Sequence, residues 1–490
     1  MENNRRNFLK KAELIGSTSL LATAAPFTAF AGKETQEVST NKTSDKPFTL
    51  SILQTTDVHC QVHAHDELFW ENDKAVFRKT GGYAHLATFL KSYRKKNPNT
   101  FLIDTGDMFQ GSELSVKTLG KAMIMILNQL EYDLYLPGNW EVIYYKKAMQ
   151  TLLGALNAPK VCANMYHDLG EGKKGELVFP PYHIWNVNGV KIGFLGYTDP
   201  LVPIRQSPNY SKGIIYTKPE ENLAHYVDVL KNDEQCAYIL MVAHLGLSQQ
   251  IYLANLPECE GVNYILGGDT HERVRVPIEC KYSKVVEPRA FGSFVGKLNL
   301  SIENGKVVKL SNGFRFCPPR TTPDATGNIP ITNGYIFDML PVDSIVRTGT
   351  VNGKQLKDWL EKELNNVFAK EASERFGGWV IKFKGMQVEF NAFGEKGKRV
   401  QKAMVGNAPL DLEKNYKICA CERDGDPADM LCRIKGVANA KNTLYTLHGV
   451  MRDYLIKNSP VTPTLPMAAK ILDAPQTLLT QVTGVNYQFH

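Results

Sequence analysis

Six short apolar runs, each closing in a polar or glycine-rich cluster, alternate with segments of helical period. That alternation predicts an α/β fold with a largely buried sheet for the first part of this 490-residue chain. A turn-rich stretch, "SNGFRFCPPRTTPDATGNIP", then breaks the pattern, and a mixed helix-and-strand block follows it. The fold class is therefore α/β followed by a smaller α+β domain, which agrees with a length too great for one hydrophobic core.

The first element is the N-terminal segment "NNRRNFLKKAELIGSTSLLATAAPFTAFAG", with a charged start, an apolar middle and small residues ending at Ala29-Phe30-Ala31. This is the order of an export signal, assigned to residues 1–31. Arg5-Arg6 followed by Asn7-Phe8-Leu9-Lys10 resembles the twin-arginine (Tat) export signature, which places the mature protein in the periplasm. The apolar part is too short and mild to span a bilayer, so no membrane attachment is expected after cleavage. A polar linker covers residues 32–46.

Residues 47–312 form the first domain. Its strand-like runs are "FTLSILQTTD", "TFLIDTGD", "YDLYLPGN", "VKIGFLGYTD", "CAYILMVAH" and "VNYILGGDTH", with helical segments such as "GGYAHLATFLKSYRKK" and "ENLAHYVDVLKN" between them. Residues 313–330 are a linker. Residues 331–475 carry the helix "NGKQLKDWLEKELNNVF", the strands "GWVIKFKGMQVEF" and "NYKICACE", and a final helix "LYTLHGVMRDYLIKN"; residues 476–490 are a tail.

Composition narrows the function classes. A net charge of +7 from scattered lysines and arginines reads as solvated faces, not as a nucleic-acid footprint. The nine cysteines lack the paired spacing of a disulfide framework or a sulfur-rich zinc site. The one close pair, Cys419 and Cys421, shares a strand face and is expected as two buried thiols.

The chemistry lies in what ends the strands: Asp57 and His59, Gly106-Asp107, Gly138-Asn139, His244, and Asp269 with His271. Ligands collect at the carboxyl ends of strands in open α/β sheets. Oxygen and imidazole donors without thiolates suit Mn, Fe or Zn. Seven candidates, Asp57, His59, Asp107, Asn139, His244, Asp269 and His271, exceed the needs of one ion with an open water position. Two divalent ions are therefore expected, Mn2+ or Zn2+, with a carboxylate such as Asp107 able to bridge them. The glycines at 106 and 138 permit tight turns that aim the next side chain off the strand.

The runs "LQTTDVH", "GGYAHLATFLK", "LIDTGDMFQGS", "GNWE", "VAHLG" and "YILGGDTH" resemble the calcineurin-like dinuclear metallophosphoesterases of the 5′-nucleotidase family. "IFDMLPVDSIVRTGTVNGKQLKDWLE" onward resembles that family's C-terminal substrate-binding domain. The resemblance implies a four-layer α/β/β/α catalytic domain. It also implies hydrolysis by a metal-bridging hydroxide, with Asp57, His59 and His271 on one ion, Asn139, His244 and Asp269 on the other, and Asp107 between them. The chain departs from the family pattern in two ways. Asp269 stands where the family has histidine. Trp140 and Ile143 stand where nucleotidases carry a His-Asp dyad that protonates or stabilises the leaving oxygen.

Tryptophan at that place is a feature of the sulfur-oxidation thiosulfohydrolase (SoxB-type) branch, to which "DVHCQ", "GDMFQGS", "NWE", "YTDPLVPI" and "NGFRF" are also similar. That branch usually has histidine before the tryptophan, whereas this chain keeps Asn139, so it resembles a relative of the branch. The implied substrate is a small phosphorylated or sulfonated ester, with a carrier protein as a further partner. Asp107, Asn139, Trp140 and Arg315 are the expected catalytic residues, and Arg315 is expected to reach the substrate from the second domain. Gln110 and Tyr144 are candidate contacts near the site, Cys60 is expected to pack inertly, and His63 and His65 are expected to be loop residues. Trp379, Phe383 and Phe390 are the aromatics available to stack a base, though no motif assigns any of them. An ordinary 5′-nucleotidase or sugar-nucleotide hydrolase, and a catalytically idle metal- or anion-binding relative, are the two alternatives.

Overall fold

The computed structural model describes residues 46–71, 74–316, 332–376, 382–461 and 468–473. The assigned signal peptide, most of both linkers, the tail and Trp379 lie outside the described residues. Among those described, no helix is long and apolar enough to cross a membrane.

Two sheets make the first domain. One orders the strands Lys306–Phe316, Phe294–Glu303, Phe48–Thr55, Thr100–Asp104 and Leu134–Tyr135, the last three mutually parallel. The other orders Arg273–Glu279, Lys284–Pro288, Tyr264–Gly268, Tyr238–His244, Val190–Thr198 and Tyr182–Val187, with a parallel centre. The fully buried run "YILMVAH" shows how the layers stack. Its Ile239, Met241 and Ala243 belong to a core with Leu223, Val227 and Leu253 of the helices on one side. Its Leu240 and Val242 belong to a core shared with Leu50 and Leu102 of the opposite sheet. Alternation of side chains across a strand thus places each sheet between a partner sheet and helices. On the first sheet that helical layer includes Leu86 and Leu90 of Tyr83–Lys96, and Met123 and Leu127 of Lys121–Leu130.

The six strands read from the sequence are all present. Strand Lys306–Phe316 pairs along Phe294–Glu303 and so carries the first sheet past residue 312. The segment "ENLAHYVDVLKN" is a short α-helix, Leu223–Asp228, continued by a π-turn over Val229–Asp233. In the second domain, helix Gly353–Phe368 is capped reciprocally by Asn352 and Gln355. It buries Leu356, Trp359, Leu360 and Leu364 against Val388 and Phe390. The final helix is Leu447–Asn458, with Leu444 to Thr446 ending a strand instead.

One expectation fails here. Cys419 is exposed and Cys421 only half-buried, both as free thiols, because their strand, Asn415–Cys421, alternates between solvent and a partly covered face. They are not two buried thiols.

Candidate metal centre

The site assembles at the carboxyl ends of strands from both sheets. Asp57, Asp107 and Asn139 follow three adjacent strands of the first sheet, while His244 and Asp269-Thr270-His271 follow two adjacent strands of the second. The sequence suggested one consecutive series of strand ends. The structure divides it between two facing sheets, so the ligands converge from opposite walls.

Backbone conformation makes this convergence possible. Asp57, His59, Asp107, Asp269 and His271 have φ of 49°, 50°, 62°, 90° and 58°, in the left-handed region that non-glycine residues seldom occupy. Five such residues at one place are held there by the surrounding bonds. Gly138 lies so close to Asp107 that a Cβ would fall 2.5 Å from the Asp107 nitrogen. The main carrier of order is Glu141, fully buried. Its Oε1 accepts from the Met108 amide (2.7 Å) and the Tyr135 hydroxyl (2.8 Å). Its Oε2 accepts from the amides of Asp107 (3.1 Å) and Gly138. This carboxylate ties the loop bearing Asp107 to the loop bearing Asn139, and it was not singled out from the sequence beyond its place in "GNWE".

Around that frame the donor atoms meet. Asp57 Oδ1 is 3.3 Å from His271 Nε2 and 3.9 Å from both His59 Nε2 and His244 Nε2. His244 Nε2 is 3.2 Å from Asp107 Oδ2 and 3.2 Å from Asn139 Oδ1. Asp57, His59 and His271 form one group able to hold an ion; Asp57, Asp107 and His244 form another. The imidazoles are aimed from behind: His244 Nδ1 donates to the Thr105 carbonyl (2.6 Å) and His59 Nδ1 to that of Gln110 (3.1 Å), leaving each Nε2 lone pair toward the centre.

These residues fit divalent cations by two observations. Asp57 Oδ1 is a buried carboxylate oxygen with no hydrogen-bond partner, at the middle of three imidazoles. His59 Nε2 and His271 Nε2 face each other at 3.1 Å, where at most one proton can sit between two lone pairs. Such an arrangement is costly unless a cation satisfies it. The protons are correspondingly displaced. Burial and the facing His271 push His59 down to about 4. Burial lifts Asp107 to about 7, countered in part by His244. Burial opposes ionisation of Asp57 too, yet His244, His271 and His59 hold it below the usual carboxylate range.

Asp269 is placed differently from the other six. Its Oδ1 lies 3.7 Å from His244 Nε2, but both carboxylate oxygens accept from Arg205, Nη2 to Oδ1 and Nη1 to Oδ2, each at 2.8 Å. Arg205 also bonds Asp199 at 2.8 Å and is itself nearly buried. It ends the short helix Val202–Arg205, within "YTDPLVPI" and its next residue, where nothing in the sequence marked it as part of the site. That helix is held by the second domain: Arg423 donates to the Ile204 carbonyl (2.9 Å), and Arg433 to that of Arg205 (3.4 Å).

The candidate metal centre opens into a cleft of about 380 Å³. Trp140, Gln110, Arg205 and Phe291 line it beside the candidate ligands, and the second domain contributes Asp338 and Pro341. The Trp140 amide donates to Asp107 Oδ1 (2.7 Å), so residue 140 steadies the bridging candidate through its main chain whatever its side chain is. Ile143 is buried.

Several other readings can be placed. Arg315 lies on a strand opposite Val295, its side chain outside the described residues. Tyr144 bonds Ser115 (3.1 Å) and packs against the core, away from the cleft. Cys60 is buried with its thiol on the Met108 carbonyl, and burial pushes that thiol up to about 12, which agrees with inert packing. His65 bonds Ser293 at 3.0 Å outside both ligand groups. Phe390 is buried in the second domain's core with Phe368, so it is not free to stack a base, whereas Phe383 is half-buried against that core.

Residues 50–273 match the family model for calcineurin-like phosphoesterases, and residues 286–422 match that for the 5′-nucleotidase C-terminal domain. Among curated proteins, the 5′-nucleotidase of Diplobatis ommata is 26% identical over 287 residues, covering 54% of this chain and 48% of that protein. The chain thus spans about half the length of the curated relatives it matches. Two solved structures share the fold. The sulfate thiohydrolase SoxB of Thermus thermophilus, in complex with glycerol, superposes with a TM-score of 0.73 at 18% identity, covering 87% of this chain and 97% of that one. A 5′-nucleotidase precursor of Thermus thermophilus superposes at 0.71 with 19% identity, covering 87% and 100%.

Proposed function

The chain carries a calcineurin-like phosphoesterase domain followed by a 5′-nucleotidase C-terminal domain, and from that premise we propose an exported, metal-dependent hydrolase acting on esters whose leaving group departs without a proton. The observation that supports this reading is residue 140. Its main chain keeps Asp107 in place, while its indole and the neighbouring Ile143 offer the cleft no group able to protonate a leaving oxygen. A thiolate, an aryl oxide or a phosphate leaves well without such help, so phosphate esters of that kind and cysteine-S-thiosulfonates are the substrate classes.

Divalent ions bound at the seven candidate ligands would supply an activated water and neutralise charge on a tetrahedral phosphorus or sulfur. Asp57, His59 and His271 would hold one ion, and Asn139 and His244, with Asp269 beside them, the other. Asp107 would lie between them, fixed by the Trp140 amide and, through its own amide, by Glu141. Trp140 gives the substrate a flat apolar wall and one N–H donor. The twin-arginine signature supports export to the periplasm.

The second reading, an ordinary nucleotidase, is favoured by the match to 5′-nucleotidases over 54% of the chain. The Trp140→His/Ile143→Asp double variant separates the two, assayed with Mn2+ or Zn2+ on an aryl phosphate, AMP and an S-sulfonated thiol. The proposal expects the unmodified enzyme to cleave the aryl phosphate or the sulfonated thiol far faster than AMP, with the gain in the variant confined to AMP. Rapid AMP hydrolysis by the unmodified enzyme would overturn it.

A further inference from the structure

The candidate ligands differ in what else holds them. Those of the first group, Asp57, His59 and His271, have no lysine or arginine bonded to their donor atoms among the described residues. Asp269 has both oxygens occupied by one guanidinium, which a second carboxylate, Asp199, holds from the other side at 2.8 Å. Asp269 cannot swing clear of it. Its own amide donates to Asp57 Oδ2 (3.0 Å), its φ is 90°, and Gly246 lies so near that a Cβ there would be 2.8 Å from Asp269 Oδ2. Arg205 is anchored as firmly, by Asp199 and by the second domain's hold on its helix.

We propose that Arg205 sets the strength of the second metal subsite, the one built on His244 and Asn139, by fixing a permanent positive charge on Asp269 beside it. The proposal rests on the metal reading above and adds an order of loading. The first ion enters at Asp57, His59 and His271; the second enters a subsite whose extra carboxylate already shares the charge of Arg205 with Asp199, and binds more weakly. Each oxygen of Asp269 keeps a lone pair after bonding Arg205, so the carboxylate can still face an ion, with its charge partly offset by a guanidinium that Asp199 shares. Two like charges at such range in a buried site repel appreciably even at an effective dielectric near 20, which converts to a tenfold or larger change in affinity.

The test uses the mature chain freed of metal by chelation, titrated with Mn2+ by calorimetry and followed by electron paramagnetic resonance. The expected result is one tight ion and a second at least about tenfold weaker, with the spin-coupled signal of a manganese pair appearing only beyond the first equivalent. In Arg205→Gln the second constant tightens by about tenfold while the first is unchanged. If that variant fails to fold, Asp199→Asn answers the same question: with one carboxylate fewer on Arg205, its charge weighs more on the subsite, and the second constant weakens while the first stays. A purely structural ion pair would lower the melting temperature and leave both constants alone. Two equal constants in the unmodified chain, or an unchanged gap in a folded variant, overturn the proposal. Binding of no ion at all by the folded chain overturns the metal reading beneath it.

Discussion

Replacing Glu141 with Gln keeps the shape of the residue that joins the Asp107 and Asn139 loops and removes half of its accepting capacity. Four donors meet this fully buried carboxylate: the amides of Asp107, Met108 and Gly138 and the hydroxyl of Tyr135. In either orientation of the new amide, its NH2 faces two of them. On the Oε1 side the Tyr135 hydroxyl can turn to accept, and the Met108 amide is left unpaired; on the Oε2 side two amides are. One orphaned buried donor costs about 1–3 kcal/mol, and the remaining bonds lose the charge that strengthened them. The sum is about 2–4 kcal/mol, which for a domain of this size lowers the melting temperature by about 5–15 °C. Scanning calorimetry on metal-free protein reads the stability, and elemental analysis after metal loading reads the site. Both should fall, because the same amides position Asp107 and Asn139. A variant that melts within about 2 °C of the parent and retains its full metal content would refute the role assigned to Glu141.

Two further outcomes follow from the same geometry. Asp107→Asn should abolish hydrolysis and lower bound metal measured by elemental analysis, since Asp107 Oδ2 is the carboxylate oxygen nearest His244 Nε2; a variant intact in both would refute its assignment. Gly138→Ala should cost at least about tenfold in Mn2+ affinity by calorimetry with the circular dichroism spectrum retained, because the added methyl meets the Asp107 nitrogen at 2.5 Å and the loop must shift. Unchanged affinity would show that this loop has slack the structure does not suggest.

Much of this molecule is legible in one dimension because its signals are local. A buried parallel strand needs a run of apolar residues, and "YILMVAH" and "YILGG" supply it whatever they pack against. A ligand at a strand end needs only that the strand stop and a Asp, Asn or His follow. All seven candidates accordingly meet around the imidazole nitrogens, within hydrogen-bond or near ion-pair distance. Asp269 was also placed correctly in the chain, but its charge partner was not readable. Arg205 is 64 residues away, on a four-residue helix with no motif of its own. Phe390 shows the same limit: it looks like any other aromatic in sequence, and only the second domain's packing shows that it is core.

By itself, then, the order of residues determined the two-domain α/β plan and which side chains end the strands, since hydrophobic period and turn chemistry act over a few residues. Tertiary structure alone decided that those ends face each other from two sheets and that Glu141 ties their loops together. It also decided that a distant arginine, Arg205, bonds both carboxylate oxygens of Asp269. Those outcomes depend on contacts between segments far apart in the chain, whose partners no local pattern names.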